Sequence, residues 1–184
     1  MAGELRRAMP GVAAGIYGVL EASFVERFEY VKGVGLLEQA RALAVEAGDR
    51  SVLGHVYSSF GHFHQGQVEH DKATEVYDQG RAIDVELGNR QKEGMTCYNL
   101  GRSHRSLKQY DMAIELFEQS LAINEELGDK REQANTRMHL GVCLSRHGQH
   151  DRVVACLNQA WAVCQELGDE VAKARAAKSL GEAL

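Results

Sequence analysis

The chain has 184 residues, 44% of them hydrophobic and 26% charged, with a net charge of −5, ordinary usage for a globular protein. One proline and 7% aromatic residues exclude the turn-rich, strand-rich make-up of a β-sandwich or barrel. The acidic balance excludes a general attraction to nucleic acid or anionic membrane, and no run reaches the ~18 to 20 apolar residues that span a bilayer.

At the start, Arg6 and Arg7 precede a fairly apolar run from Val12 to Leu20. Glu21 interrupts that run and no small-x-small cleavage site follows, so it does not read as a secretory leader. The cysteines are Cys97, Cys143, Cys156 and Cys164, with no C-x-x-C pair among them. That pattern leads us to expect reduced thiols and a cytoplasmic protein.

One phrase then recurs every 40 residues: Ala47-Gly48-Asp49-Arg50, Leu87-Gly88-Asn89-Arg90, Leu127-Gly128-Asp129-Lys130 and Leu167-Gly168-Asp169-Glu170. A second marker keeps the same step, at Phe60-Gly61, Leu100-Gly101, Leu140-Gly141 and Leu180-Gly181. A fixed period of this size means a stacked repeat array.

Residues 10–48 form a degenerate first pair of helices, with Glu21 at the marker position and Gly33 in place of a small alanine. Atypical terminal repeats are usual in such arrays. Residues 49–88, 89–128 and 129–168 are three regular units of one domain spanning 1–184. Residues 169–184 supply a capping helix or the first helix of a truncated repeat.

The unit from Asp129 to Gly168 shows the logic. Gly128 suits the left-handed residue after a helix, Asp129 caps the next one, and Glu132 would complete a capping box. Ala134, Met138, Leu140, Gly141 and Leu144 recur at helical spacing, and His147-Gly148-Gln149-His150 makes a turn. Asp151, like Asp71 and Asp111, enters the first turn of a second helix, where negative charge suits the helix dipole. Val153, Val154, Leu157, Ala160, Val163 and Leu167 are expected to form its buried stripe. Each helix is about 16 residues, or about 24 Å.

The marker glycine sits mid-helix, where it costs up to ~1 kcal/mol relative to alanine. Its recurrence predicts a close approach by the partner helix, with Ala73, Ala113 or Val153 twelve residues on and Tyr77, Phe117 or Leu157 sixteen residues on. Small then meets small, and the large residue fills the gap.

Asn99-Leu100-Gly101, Ala113-Ile114-Glu115-Leu116-Phe117 and Ser120-Leu121-Ala122-Ile123 resemble a tetratricopeptide repeat. The 40-residue length and the Leu-Gly-Asp-Lys/Arg punctuation are similar to repeats of kinesin light chains and Pins-type spindle adaptors. The resemblance covers about residues 50 to 184. It implies an all-α, right-handed superhelical solenoid of antiparallel helix pairs, about four pairs with a solitary C-terminal helix. It also implies that the first helix of each pair lines a concave groove. The implied peptide-contacting residues are His55, Ser59, His62, Tyr98, Asn99, Arg102, Arg105, Asn135, Met138, His139, Arg146, Arg175 and Lys178. Asn99 stands at the phase where these families hold a peptide backbone, and Ser59, His139 and Ser179 replace asparagine elsewhere.

The full set of lining phases contains five Arg or Lys and one Glu, Glu182, against the net sign of the chain. A protein-interaction scaffold binding an acidic peptide segment in a basic groove is therefore the leading expectation. Two alternatives stand beside it. One is a homodimeric scaffold joined through Ala174, Ala177, Leu180 and Leu184; the other is a regulatory or sensor region of a larger protein. No cofactor, metal, nucleic-acid or membrane partner is expected. Cys143, His147 and His150 lack a good fourth metal ligand. His64 and His104 share one repeat phase and read as packed residues. No nucleophile or nucleotide motif is present, so no enzymatic activity is expected. Trp161 is expected to pack between units or to anchor a partner.

Overall fold

The structure, a computed structural model, describes residues 29–183, with side chains from 33 to 181. Eight helices follow in order: α1 (Glu29–Ala47), α2 (Arg50–Gly66), α3 (His70–Glu86), α4 (Arg90–Ser106), α5 (Tyr110–Glu126), α6 (Lys130–Arg146), α7 (His150–Glu166) and α8 (Glu170–Ala183). No strand occurs among the described residues. The helix expected before α1, with Glu21 at its marker position, lies outside them, as do the side chain of Glu182 and Leu184.

The chain divides into two compact units between Gly88 and Asn89, a repeat boundary. In the first unit α2 and α3 form a hairpin and α1 packs on α2. In the second, α4–α5 and α6–α7 are hairpins; α5 packs on α6, and α8 closes on both α6 and α7.

The punctuation phrase builds both sides of each junction. Gly48, Gly88, Gly128 and Gly168 have φ between 65° and 70°, the left-handed conformation that glycine adopts without a Cβ clash. The next residue caps the following helix: Asp49, Asn89, Asp129 and Asp169 accept from the backbone N–H three residues on, at 2.9 to 3.3 Å. The capping box does not close. The Asp129 N–H is taken by the Asn124 carbonyl at 2.9 Å, and Glu132 instead accepts from Asn135 Nδ2 at 3.3 Å.

The marker glycines meet the predicted partners. A Cβ on Gly61 would lie 2.3 Å from Tyr77, one on Gly101 2.8 Å from Phe117, and one on Gly141 2.5 Å from Leu157. Each of these large residues is fully buried, so the space is already filled by a side chain that cannot retreat. Gly181 meets no described atom within 4 Å.

The α7 stripe differs from the expectation. Val153, Leu157 and Ala160 are buried, but Val154 and Leu167 are exposed and Cys156 and Cys164 take inward positions. At 100° per residue Val154 falls beyond the inward arc that Val153 and Leu157 define. Leu180 packs against the core built by Phe117, Leu140, Leu144 and Leu157. Of the apolar face expected on α8, that leaves Ala174 and Ala177 exposed. None of the described helices is long and apolar enough to cross a membrane.

Candidate peptide-binding surface

In the second unit the leading helices of successive repeats touch, α4 with α6 and α6 with α8. Side chains on their outward stripes therefore share one wall. On α4 the stripe holds Tyr98, Arg102 and Arg105 at i, i+4 and i+7; on α6 it holds Asn135, His139 and Arg146, also in helical phase.

The rings of Tyr98 and His139 meet edge to face at 5.3 Å, and Phe117 of α5 stacks beneath His139 at 5.8 Å. Arg105 Nη1 donates to His139 Nδ1 at 2.5 Å. Arg102 places its guanidinium carbon 5.8 Å from the Tyr98 ring centre, within cation–π range. Arg175, from α8, is close enough for its charge to act on both Tyr98 and His139.

Burial, reinforced by Arg105, Arg102 and Arg175, holds the His139 imidazole down at a pKa of about 3. His139 is thus neutral near pH 7, and its bare Nδ1 accepts the Arg105 proton. Burial raises the Tyr98 phenol, against the lowering effect of the same three arginines. Tyr98, Arg102, Arg105, His139 and Arg175 form one cluster. Phe117 is a member that the sequence had marked only as the residue filling the space opposite Gly101.

The cluster is cationic because its arginines lack acidic partners. Arg102, Arg105, Arg146 and Arg175 make no ion pair with a described carboxylate. Many basic residues elsewhere are matched. The first residue of each regular leading helix pairs with the glutamate that ends its trailing helix: Arg50 with Glu86, Arg90 with Glu126, and Lys130 with Glu166. Arg131, Arg137 and Arg152 pair with Asp169, Glu125 and Glu118.

Several expected wall residues are placed differently. Met138 is 6% exposed and joins Ala160 and Ala176 in the core. With only alanines opposite, a long flexible side chain fills the gap. Asn99 is 8% exposed, so little of its amide reaches solvent. Asn135 is half-buried and spends an N–H on Glu132. Arg146 and Lys178 are exposed. In the first unit, α2 carries a half-buried His55, a buried Ser59 and an exposed His62 that meets Tyr77 edge to face at 5.7 Å.

Three of the histidines weighed as metal ligands or packed residues make other contacts. His64 Nδ1 meets Glu69 at 2.7 Å and His104 Nδ1 meets Gln109 at 2.6 Å, the same arrangement in two successive repeats. His147 pairs with Asp111. No group of three or more metal-binding side chains occurs among the described residues. All four cysteines are buried and none forms a disulfide, and burial pushes Cys143 and Cys156 up to about 11, far from a reactive thiolate. Trp161 is 38% exposed, with Lys173 Nζ 5.9 Å from its ring centre.

Residues 94–166 match the family model of the tetratricopeptide repeat. No curated protein matches the chain in sequence. Among solved structures it resembles BtubC from P. vanneervenii, at 20% identity and a TM-score of 0.70, covering 97% of this chain and 82% of that one. A putative kinesin light chain with nearly identical repeats, from Podospora anserina, is 18% identical at a TM-score of 0.68, covering 99% and 89%. A Rap protein solved in complex with competence and sporulation factor is 16% identical at 0.75. There the match spans 92% of this chain but only 46% of the other.

Proposed function

We propose that this chain, whose residues 94–166 match the tetratricopeptide-repeat family, is a non-catalytic interaction scaffold whose α4–α6–α8 wall holds an acidic peptide segment. One observation carries the reading. Arg102, Arg105 and Arg175 act together on the Tyr98–His139 ring pair without an acidic partner, while Arg90, Lys130, Arg131, Arg137 and Arg152 of the same unit each pair with a carboxylate. Guanidinium groups left unneutralised beside aromatic surface are suited to bidentate contact with carboxylates. The resemblance to a Rap protein solved in complex with competence and sporulation factor supports a partner-binding role for this kind of fold.

The test uses a fluorescein-labelled glutamate-rich peptide and its glutamine counterpart, followed by fluorescence anisotropy. The glutamate peptide should bind, with an affinity that falls as salt rises. The glutamine peptide should not. A double variant, Arg102→Glu with Arg105→Glu, should lose binding while keeping its helical circular dichroism. Equal binding by both peptides, or by the wild type and the double variant, contradicts the proposal.

A further inference from the structure

The cluster carries more positive charge than one carboxylate neutralises. Three guanidinium groups from two helices act on the Tyr98–His139 pair. His139 touches Tyr98 and Arg105 from α4 and Phe117 from α5, and feels the charges of Arg102 from α4 and Arg175 from α8. Every charge acting on it is positive. The acidic charge that reaches Tyr98 is Glu132, which already accepts from Asn135.

A carboxylate brings one negative charge and two oxygens. A phosphoryl group near pH 7 brings about −1.5 to −2 and three strong acceptor oxygens. Three forked donors are better matched by the second. Resting on the acidic-peptide reading above, we infer that Arg102, Arg105 and Arg175 form a subsite for a phosphorylated side chain of the bound peptide.

His139 acts here as a positioning residue. Its neutral Nδ1 takes one Arg105 N–H and holds that guanidinium over the wall, leaving the remaining N–H groups for the phosphoryl oxygens. Phe117, fully buried beneath the imidazole, fixes the ring. Because His139 stays neutral between pH 5.5 and 7.5, the pH response belongs to the ligand. The phosphoryl group passes from monoanion to dianion around its second pKa of about 6, so its preference over a carboxylate should grow across that range.

The experiment compares three probes on the full chain by isothermal titration calorimetry: a phosphoserine peptide, the same peptide with glutamate in its place, and inorganic phosphate. At pH 7.5 the phosphopeptide should bind about tenfold more tightly than the glutamate peptide, the scale of added hydrogen bonds to a charged group. The preference should shrink at pH 5.5. Inorganic phosphate should bind more weakly than the phosphopeptide and compete with it.

Arg175→Gln should weaken the glutamate peptide and weaken the phosphoserine peptide about tenfold more, so that the preference is lost, whereas Arg152→Gln, on the matched surface, should leave the preference intact. Equal affinity for the two peptides overturns the subsite and leaves the acidic-peptide reading standing. Failure of both peptides to bind overturns the reading on which it rests. Inorganic phosphate as tight as the phosphopeptide marks a free-anion site and overturns the peptide assignment.

Discussion

Arg90 and Lys130 begin their helices and reach the far ends of their own hairpins, at Glu126 and Glu166. Arg102, Arg105 and Arg175 sit within the leading helices of the same unit and find aromatic rings instead of carboxylates. Identical chemistry therefore serves two purposes. At the hairpin ends the charges are satisfied internally and exposed to water, where a pair adds little to stability. On the wall the charges have no described carboxylate partner, which is what the proposed binding role rests on. In the proposed reading, what singles out the wall is that its arginines are unmatched and gathered beside aromatic rings; their number alone says little.

Charge reversals at the two places should separate them most strongly. The double variant at Arg102 and Arg105 should weaken binding of a glutamate-rich peptide by about a hundredfold or more, since each lost contact is replaced by repulsion. Reversing Arg90 and Glu126 together should leave that affinity unchanged. Equal losses would erase the distinction.

The wall also needs its scaffold. Gly141→Ala forces a methyl to within 2.5 Å of Leu157, at the base of the α6–α7 hairpin. It should cost roughly 1 to 3 kcal/mol in a denaturant titration, and Gly101→Ala should do the same through Phe117. An unshifted midpoint would mean the close approach is not formed.

Thr136 sharpens the comparison from inside the core. Its hydroxyl is buried with no partner; the positions one repeat away hold Thr96 and Ala176, and the position two repeats before it holds Val56. Thr136→Val should stabilise the fold by about 1 kcal/mol, the low end for relieving an unsatisfied buried group, without changing affinity.

The smallest expected effect is on pH. The folded-state pKa of His139 lies at about 3, below the unfolded value of about 6.5, so the unfolded chain binds the proton more readily between them. Stability should therefore fall as pH drops from about 6.5 toward 3. His139→Gln should flatten the thermal-melt profile in that window. An unchanged slope would place the titration elsewhere.

Much of this was legible in the sequence because the repeat turns local chemistry into a pattern. Gly128 with Asp129 announced a helix end and a cap, and Gly101 paired with Phe117 announced a close helix contact. Both signals act over short separations and need no knowledge of the partner helix. The wall was harder. Met138 and Tyr98 occupy the same repeat phase, yet Met138 is drawn into the core by the small residues Ala160 and Ala176 while Tyr98 stays half-buried beside His139. What a phase exposes depends on the side chains across from it, and periodicity does not report them. The pairing of Arg105 with His139 joins residues 34 apart, and the absence of acidic partners around it emerges only when all neighbours are in place. Val154 and Cys156 show the same limit, since an apolar residue at the edge of a stripe can fall on either side of it.

The most direct measurement follows the arginine side chains themselves. In a nuclear magnetic resonance titration with the glutamate-rich peptide, the Nε–H signals of Arg102, Arg105 and Arg175 should shift together, while those of Arg90, Arg137 and Arg152 stay in place. Shifts confined to the second group, with the first unmoved, would contradict the assignment of the α4–α6–α8 wall as the binding surface.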